Sequence, residues 1–308
     1  LKNKLVIEHL ILFTVLSIFA LILIASCATS AVSAEEYYSI GMAYYDLGKF
    51  TDAERWLTRA AAADRTKTAS EYNLGRLAFE TGRYDDAIKH FENVLKQDPN
   101  NVMALRAAAY TKIKTGDFQQ AQSYYSRVLA LVPESSDDGY NYALVLYAQK
   151  KYEECRNVLL GYPAALDEKP DSLLLFARAQ AGAGKVEAAD SYAKWIAGST
   201  TPNPLVLYEY GQVLEKAELF ALALDQYRAA LSSLKTDLDN LKRSRVLFDI
   251  ARLLLIADPG NAEGITGLNS AIAEGFNDSA ALADLLDDSR INSDQKTEIS
   301  KILETISL

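Results

Sequence analysis

The chain has 308 residues, 49% hydrophobic and 24% charged, with 41 acidic against 32 basic side chains and a formal net charge of -9. That balance, with no basic tract anywhere, excludes a nucleic-acid surface, because phosphate binding needs clustered Lys and Arg to release counterions. Two cysteines, Cys27 and Cys155, and two histidines, His9 and His90, are too few for a disulfide framework or a His/Cys metal centre, so neither metal nor cofactor is expected.

The first element is a leader. Lys2 and Lys4 precede an apolar run from Leu10 to Ala25, which ends in Ile24-Ala25-Ser26-Cys27. A charged start, an apolar middle and small residues before a cut form the layout of a secretory signal. The last four residues resemble a bacterial lipobox, and the resemblance implies that Cys27 is lipidated and residues 1–26 are removed. The run also reads as an uncleaved signal anchor, just short of the roughly 17 to 25 residues of a spanning helix. Lengthening it to Leu5 would bury Glu8 and His9, at about 2 kcal/mol or more. Under both readings the positive-inside bias places the body across the membrane from Lys2 and Lys4. A membrane-anchored protein of the bacterial cell envelope, on the periplasmic side or the outer membrane, is therefore expected. Residues 27–33 make a tether of at most roughly 25 Å, so the body should sit close to its bilayer.

From residue 34 onward the chain repeats itself every 34 positions, in six units: 34–67, 68–101, 102–135, 136–169, 170–203 and 204–237. One column reads Gly41, Gly75, Ala109, Ala143, Ala177, Gly211, and a second Ala53, Ala87, Ala121, Cys155, Ala189, Ala223. Two larger columns read Phe50, Tyr84, Phe118, Tyr152, Val186, Phe220 and Leu57, Phe91, Tyr125, Leu159, Ala193, Tyr227. A turn column reads Gly48, Gly82, Gly116, Lys150, Gly184, Glu218. These columns resemble the tetratricopeptide repeat, a hairpin of two helices, A and B. The resemblance implies an all-α fold: a right-handed α-solenoid of six to seven stacked hairpins with a C-terminal capping helix.

The columns have a physical reading. Small residues let helices A and B approach to the short end of the usual 8 to 10 Å range. The larger columns leave an apolar flank that only the next hairpin can cover. Glycine at the turn supplies a left-handed backbone; at Lys150 and Glu218 that conformation would cost about 1 kcal/mol. Leu160-Gly161-Tyr162-Pro163 should stop helix B of the fourth repeat early, and Gly198 to Pro204 should be a turn-rich link. Residues 238–308 read as a modified seventh hairpin and capping helices. Ala251 takes the small position six residues late, Asp258-Pro259-Gly260-Asn261 makes the turn, and Gly264, Leu268 and Ala271 belong to helix B. Ile299, Ile302, Leu303 and Ile306 form a closing helical stripe.

The resemblance also implies that helix A residues line a concave face on which a protein or peptide partner docks. At the corresponding places stand Tyr38, Tyr45, Tyr72, Arg76, Phe79, Arg106, Tyr110, Tyr140, Tyr147, Arg178 and Tyr208. Tyrosine and arginine are enriched where binding energy concentrates. The competing structural reading packs these tyrosines between helices and pairs the arginines with Glu80, Asp137 or Asp171. One subset of the family grips a C-terminal carboxylate with Lys and Asn in its first repeat; Tyr38 and Met42 stand there instead, while Asn73 and Asn141 could still bond a peptide backbone. Cys155 lies in a packing column and reads as a buried thiol, and His90 reads as a solvent-facing histidine without a base partner, so no enzyme is expected. The function implied is a membrane-anchored scaffold or adaptor lipoprotein mediating protein–protein interaction. The alternative is an accessory ligand-binding component of an envelope transport or secretion system.

Overall fold

The computed structural model describes residues 32–63, 67–258 and 262–306; the leader, Cys27 and the tether as far as residue 31 lie outside them, as do Pro259, Gly260 and Asn261 of the expected turn. The described residues form 17 helices, with one isolated antiparallel bridge between Leu238 and Leu241. None of these helices is long and apolar enough to cross a membrane. They divide into two compact bodies, one ending at Leu131 and one beginning at Val132.

The N-terminal body holds three hairpins: α1 (Ala34–Asp46) with α2 (Phe50–Ala61), α3 (Lys67–Glu80) with α4 (Tyr84–Gln97), and α5 (Val102–Lys114) with α6 (Phe118–Leu131). Ser33 starts α1 through a capping box: its hydroxyl accepts from the Glu36 amide, and the Glu36 carboxylate accepts from the Ser33 amide. Two of the four orphan donors at a helix start are thereby satisfied. Within each hairpin the small column of helix A lies under the large column of helix B. A Cβ on Gly75 would fall 2.5 Å from Cε1 of Phe91, and one on Gly41 would fall 2.8 Å from Cγ of Leu57. The sequence columns are thus contact pairs, in which glycine makes room for a ring or a leucine.

The C-terminal body begins with α7 (Ser136–Ala148) and α8 (Tyr152–Leu160), then α9 (Pro163–Glu168), α10 (Pro170–Gly182) and α11 (Ala188–Ala197). It continues with α12 (Pro204–Lys216), α13 (Phe220–Ser233), α14 (Arg243–Ala257) and α15 (Ala262–Ala273), and ends with α16 (Ser279–Asp287) and α17 (Ser293–Ile306). The fourth repeat breaks where expected, but the residues beyond the break form α9, a short helix the repeat pattern did not contain. Tyr162 sits in the break with its ring directly over Gly139 and its hydroxyl donating to the Pro133 carbonyl at 2.9 Å.

The fifth repeat corrects the column assignment. Strict spacing gives Val186, Ala189 and Ala193 to the core, yet Val186 is 74% exposed and Ala193 is exposed, while Ala188 and Tyr192 are buried. Helix B has slipped by one residue, because an alanine at 193 could not fill the large position and Tyr192 can; it packs there with Ala177 and Val206. The six-residue delay before Ala251 has a structural cause in the connection from α13 to α14. Arg243 donates to the Leu231 and Leu234 carbonyls that end α13, and its own amide donates to Asp237. Gly264, Leu268, Ala271 and Ile299 are buried as expected, with Ile302, Leu303 and Ile306 packed at the rim of the same cluster.

The turn column keeps its backbone even without glycine. Lys150 and Glu218 have φ of 59° and 61°, beside 69° to 77° at Gly48, Gly82, Gly116 and Gly184. Restoring glycine removes a penalty of about 1–2 kcal/mol and adds about 0.5–1 kcal/mol of chain entropy cost. Lys150→Gly and Glu218→Gly should therefore each stabilise by about 0.5–1 kcal/mol in thermal unfolding; a fall in melting temperature would contradict the strain argument.

Candidate partner-binding site

In the N-terminal body the expected residues are occupied with one another. Asn73 Nδ2 donates to the Tyr38 hydroxyl at 3.0 Å and to the Ala69 carbonyl at 2.9 Å. Arg76 donates to Asn73 Oδ1 at 3.1 Å and to the Tyr45 hydroxyl at 3.3 Å, with its guanidinium 5.0 Å from the Tyr45 ring centroid. Asn73 is therefore buried and spent on internal bonds, and does not serve a peptide backbone. Tyr72 leans on Phe91 at 5.8 Å, and Phe79 joins Tyr84 and Tyr110 at 5.4 Å each. Only Tyr110, 46% exposed, and the exposed Arg106 present a substantial outer surface among the expected residues of this body.

The C-terminal body brings its expected residues to a trough. A cavity of about 340 Å³ is lined by Tyr147, Arg178, Tyr192, Glu209, Gln212 and Lys216. Arg178 pairs with Glu209 at 2.9 Å, so its partner is on the next helix A and is neither Glu80, Asp137 nor Asp171. The same Glu209 oxygen accepts from the Tyr192 hydroxyl at 3.1 Å. Burial drives the Tyr147 and Tyr192 phenols upward, aided by the Glu209 charge, so both stay neutral donors. Tyr140 is half-buried and raised chiefly by desolvation, with Asp171 nearby. Tyr208 departs from its expected place: it is buried, and its hydroxyl donates to Asp249 at 2.6 Å, so it offers no face to a partner.

Gln212 and Lys216 also line a second, adjoining cavity of about 470 Å³. Its far wall carries Arg245, Arg252 and Arg290, which the repeat pattern did not single out. Arg252 makes a two-pronged pair with Glu215, at 2.5 and 2.8 Å, and reaches Asp249 at 3.3 Å. Asp249 also accepts from Arg245 at 3.0 Å, and Glu215 accepts from the Tyr227 hydroxyl at 2.8 Å. Arg252 is burdened by desolvation, but the hydrogen bonds and charges of Glu215 and Asp249 more than offset this and raise its pKa. Arg290 grips Asp288 at 2.6 Å, and that hydrogen bond holds the Asp288 carboxyl down at about 2. One signal for the wall was present in the sequence: Arg245 and Arg252 lie seven residues apart with Asp249 between, all on one face of α14. Arg290 comes from the link before α17, where no period points.

The remaining candidates are structural. His90 is half-buried, with Nδ1 2.7 Å from a Glu71 oxygen that also accepts from Asn93, so its expected solvent-facing, partnerless state is corrected. Glu71 and His90 fill the slot where the first hairpin stacks Tyr37 on Trp56. Cys155 is buried, and desolvation pushes its thiol up to about 12. In a Cys27→Ser background this thiol should resist a disulfide-exchange reagent at about pH 8 and react only after denaturation; immediate labelling of native protein would refute that. Among the described residues, no group of three or more His, Cys, Asp or Glu side chains could hold a metal ion.

Comparison with known proteins agrees with this architecture. Residues 38–102 match the tetratricopeptide repeat model, and residues 81–162 and 114–196 match the model of the anaphase-promoting complex, cyclosome, subunit 3. No catalytic family is indicated. No curated protein sequence matches the chain. A tetratricopeptide repeat protein from Parabacteroides merdae ATCC 43184 superposes with a TM-score of 0.56 at 16% identity, covering 82% of this chain and 97% of that one. Pseudomonas aeruginosa pilF gives 0.51 at 19% identity, covering 77% and 97%. YrrB, described as a TPR protein with an unusual peptide-binding site, gives 0.53 at 16% identity, covering 58% and 92%. Paired helices at a 34-residue period and left-handed turns give the described residues a tetratricopeptide-like fold, and within it residues 38–102 match the tetratricopeptide repeat itself.

Proposed function

We propose that this protein is a lipid-anchored adaptor of the bacterial cell envelope, in which Cys27 carries the lipid and the C-terminal trough receives an extended segment of a protein partner. The observation that supports the trough is the state of its polar groups. Arg178, Glu209, Glu215, Asp249 and Arg252 are all satisfied internally, whereas Gln212 and Lys216, one turn apart on α12, make no hydrogen bond or ion pair among the described residues. An amide and an ammonium facing an open trough suit a peptide, whose backbone and side chains present repeated polar groups. A small-molecule pocket is predominantly apolar, and the larger cavity is walled by charged side chains, so the accessory ligand-binding alternative is less well supported.

A photoreactive amino acid at Gln212 should cross-link to a discrete protein in intact cells, and the same probe at exposed Lys89, outside the trough, should not. Identical adducts from both positions, or none from Gln212, would overturn the trough reading. Cys27→Ser should move the protein out of the membrane fraction; retention would support an uncleaved anchor over the lipid.

A further inference from the structure

We propose that the outer flank of the first hairpin, formed by Tyr37, Trp56, Arg55 and Arg59, rests on the phospholipid headgroups of the membrane that anchors the chain. This relies on the anchor reading above and adds which face of the N-terminal body meets the bilayer.

The flank is aromatic where the end of a helical stack is ordinarily polar. Tyr37, in the first turn of α1, stacks on Trp56 of α2 with ring centroids 5.7 Å apart. The Arg59 guanidinium lies 4.8 Å from the Trp56 ring and 5.9 Å from the Tyr37 ring, and that of Arg55 lies 5.3 Å from the Trp56 ring. Two repeats later the same places hold Leu105, which is fully buried, and Tyr124, which packs on Ile88 and Phe91 of the preceding hairpin and donates to Glu92 there at 3.2 Å. Among the described residues no hairpin precedes the first, so Tyr37 and Trp56 are left half-buried beneath two exposed arginines. The Trp56 indole N–H is enclosed in this stack without an acceptor among the described residues.

What covers the flank follows from where the chain leads. Cys27 to Val32 is a span of five residues, at most about 18 Å when fully extended. Whether a lipid on Cys27 or an uncleaved apolar run holds the chain, the start of α1 is tied within that reach of the bilayer. Arg59, in the last turn of α2, returns beside the start of α1, so the rings and guanidiniums stand at the tethered end of the hairpin.

The chemistry fits the headgroup layer. Tyrosine and tryptophan settle there because each has an apolar body and a polar edge, and ester carbonyls supply the acceptor that the Trp56 N–H lacks. Arginines lay their stems along the rings and reach phosphate with paired N–H groups. Net charge is not the attraction: Arg55 pairs with Asp52 at 3.2 Å, Glu54 is held by Arg83, and Glu35, Glu36 and Asp52 against Arg55 and Arg59 leave an excess of one negative charge. The contact is therefore with phospholipid headgroups in general, zwitterionic ones included, and needs no anionic lipid.

The test uses the full chain, purified with its membrane anchor and reconstituted into phosphatidylcholine vesicles with or without a nitroxide-headgroup lipid. Trp56 and Trp195 are the two tryptophans, so Trp195→Phe leaves Trp56 as the reporter. Its emission should fall to about half or less with the nitroxide, because interfacial rings lie at headgroup depth, and equally when a fifth of the lipid is phosphatidylglycerol. A tryptophan moved to exposed Tyr110, by Tyr110→Trp with Trp56→Phe and Trp195→Phe, should lose almost none. Arg55→Glu with Arg59→Glu should abolish the loss at Trp56 while the chain still floats with the vesicles and its far-ultraviolet spectrum stays native. No quenching at Trp56, equal quenching at both positions, quenching only with phosphatidylglycerol, or quenching unchanged in the arginine variant overturns the headgroup contact. Shielding of Trp56 from acrylamide without nitroxide quenching would assign the flank to a second copy or another protein, and overturns it as well. If the chain floats with the vesicles in those cases, the anchor reading survives; failure to float removes both.

Discussion

Asp249→Ala should destabilise the C-terminal body by about 3–5 kcal/mol, the usual cost of removing one partner from a buried ionic network. The side chain is 2% exposed and accepts from the Tyr208 hydroxyl, from Arg245 and from Arg252. Deleting it strands a buried hydroxyl and leaves two guanidiniums short of a counter-charge. Glu215 can still hold Arg252, which keeps the loss below that of a fully orphaned pair. Urea unfolding followed by circular dichroism should show the shift, with hydrogen-exchange protection lost first in α12 to α15, because repeat stability is a nearest-neighbour quantity. Converting Asp249, Arg245 and Tyr208 together to apolar residues of similar volume should recover most of it. A change below about 1 kcal/mol in Asp249→Ala would mean that the network is not a structural element.

Local pattern was enough for the hairpins, and the reason is visible in individual residues. Gly41, Gly75 and Gly211 are short-range requirements, each set by a bulky residue 16 positions on, so a fixed spacing reveals them. The left-handed turn is likewise local, and it persists at Lys150 and Glu218 because the surrounding hairpin imposes it. The pattern failed where volume overruled spacing, as at Tyr192 against Ala193, and where a break generated its own helix, as after Tyr162.

The site was less legible. Tyr147 and Arg178 reach the trough from their expected places, but Tyr208 turns inward toward Asp249, a residue 41 positions away that no repeat column aligns with it. The arginine wall draws on α14 and on the link before α17, both beyond the last regular repeat. Its members are brought together by tertiary folding after the six-residue register shift, and a period cannot report that.

Gly75→Val should cost about 3 kcal/mol, near the upper end of the usual penalty for overpacking a tight core. The added Cβ would meet the Phe91 ring at 2.5 to 2.9 Å on three atoms, and that ring is already wedged between Ala78, Ala87, Ala108 and Tyr72. The branched side chain adds two further methyls with nowhere to go. Gly75→Ala should cost less, since the gain of about 1 kcal/mol in helix propensity offsets part of the clash. The repeat itself supplies the repair: the fourth hairpin places Ala143 in one cluster with Leu159, a smaller and more flexible partner than phenylalanine. Phe91→Leu alone should open a void, yet combined with Gly75→Ala it should give a stability above the sum of the two single effects, with a coupling of about 1–2 kcal/mol in a double-mutant cycle. Simple additivity would show that the two columns do not act as contact pairs, and the close approach of helices A and B would then need another cause.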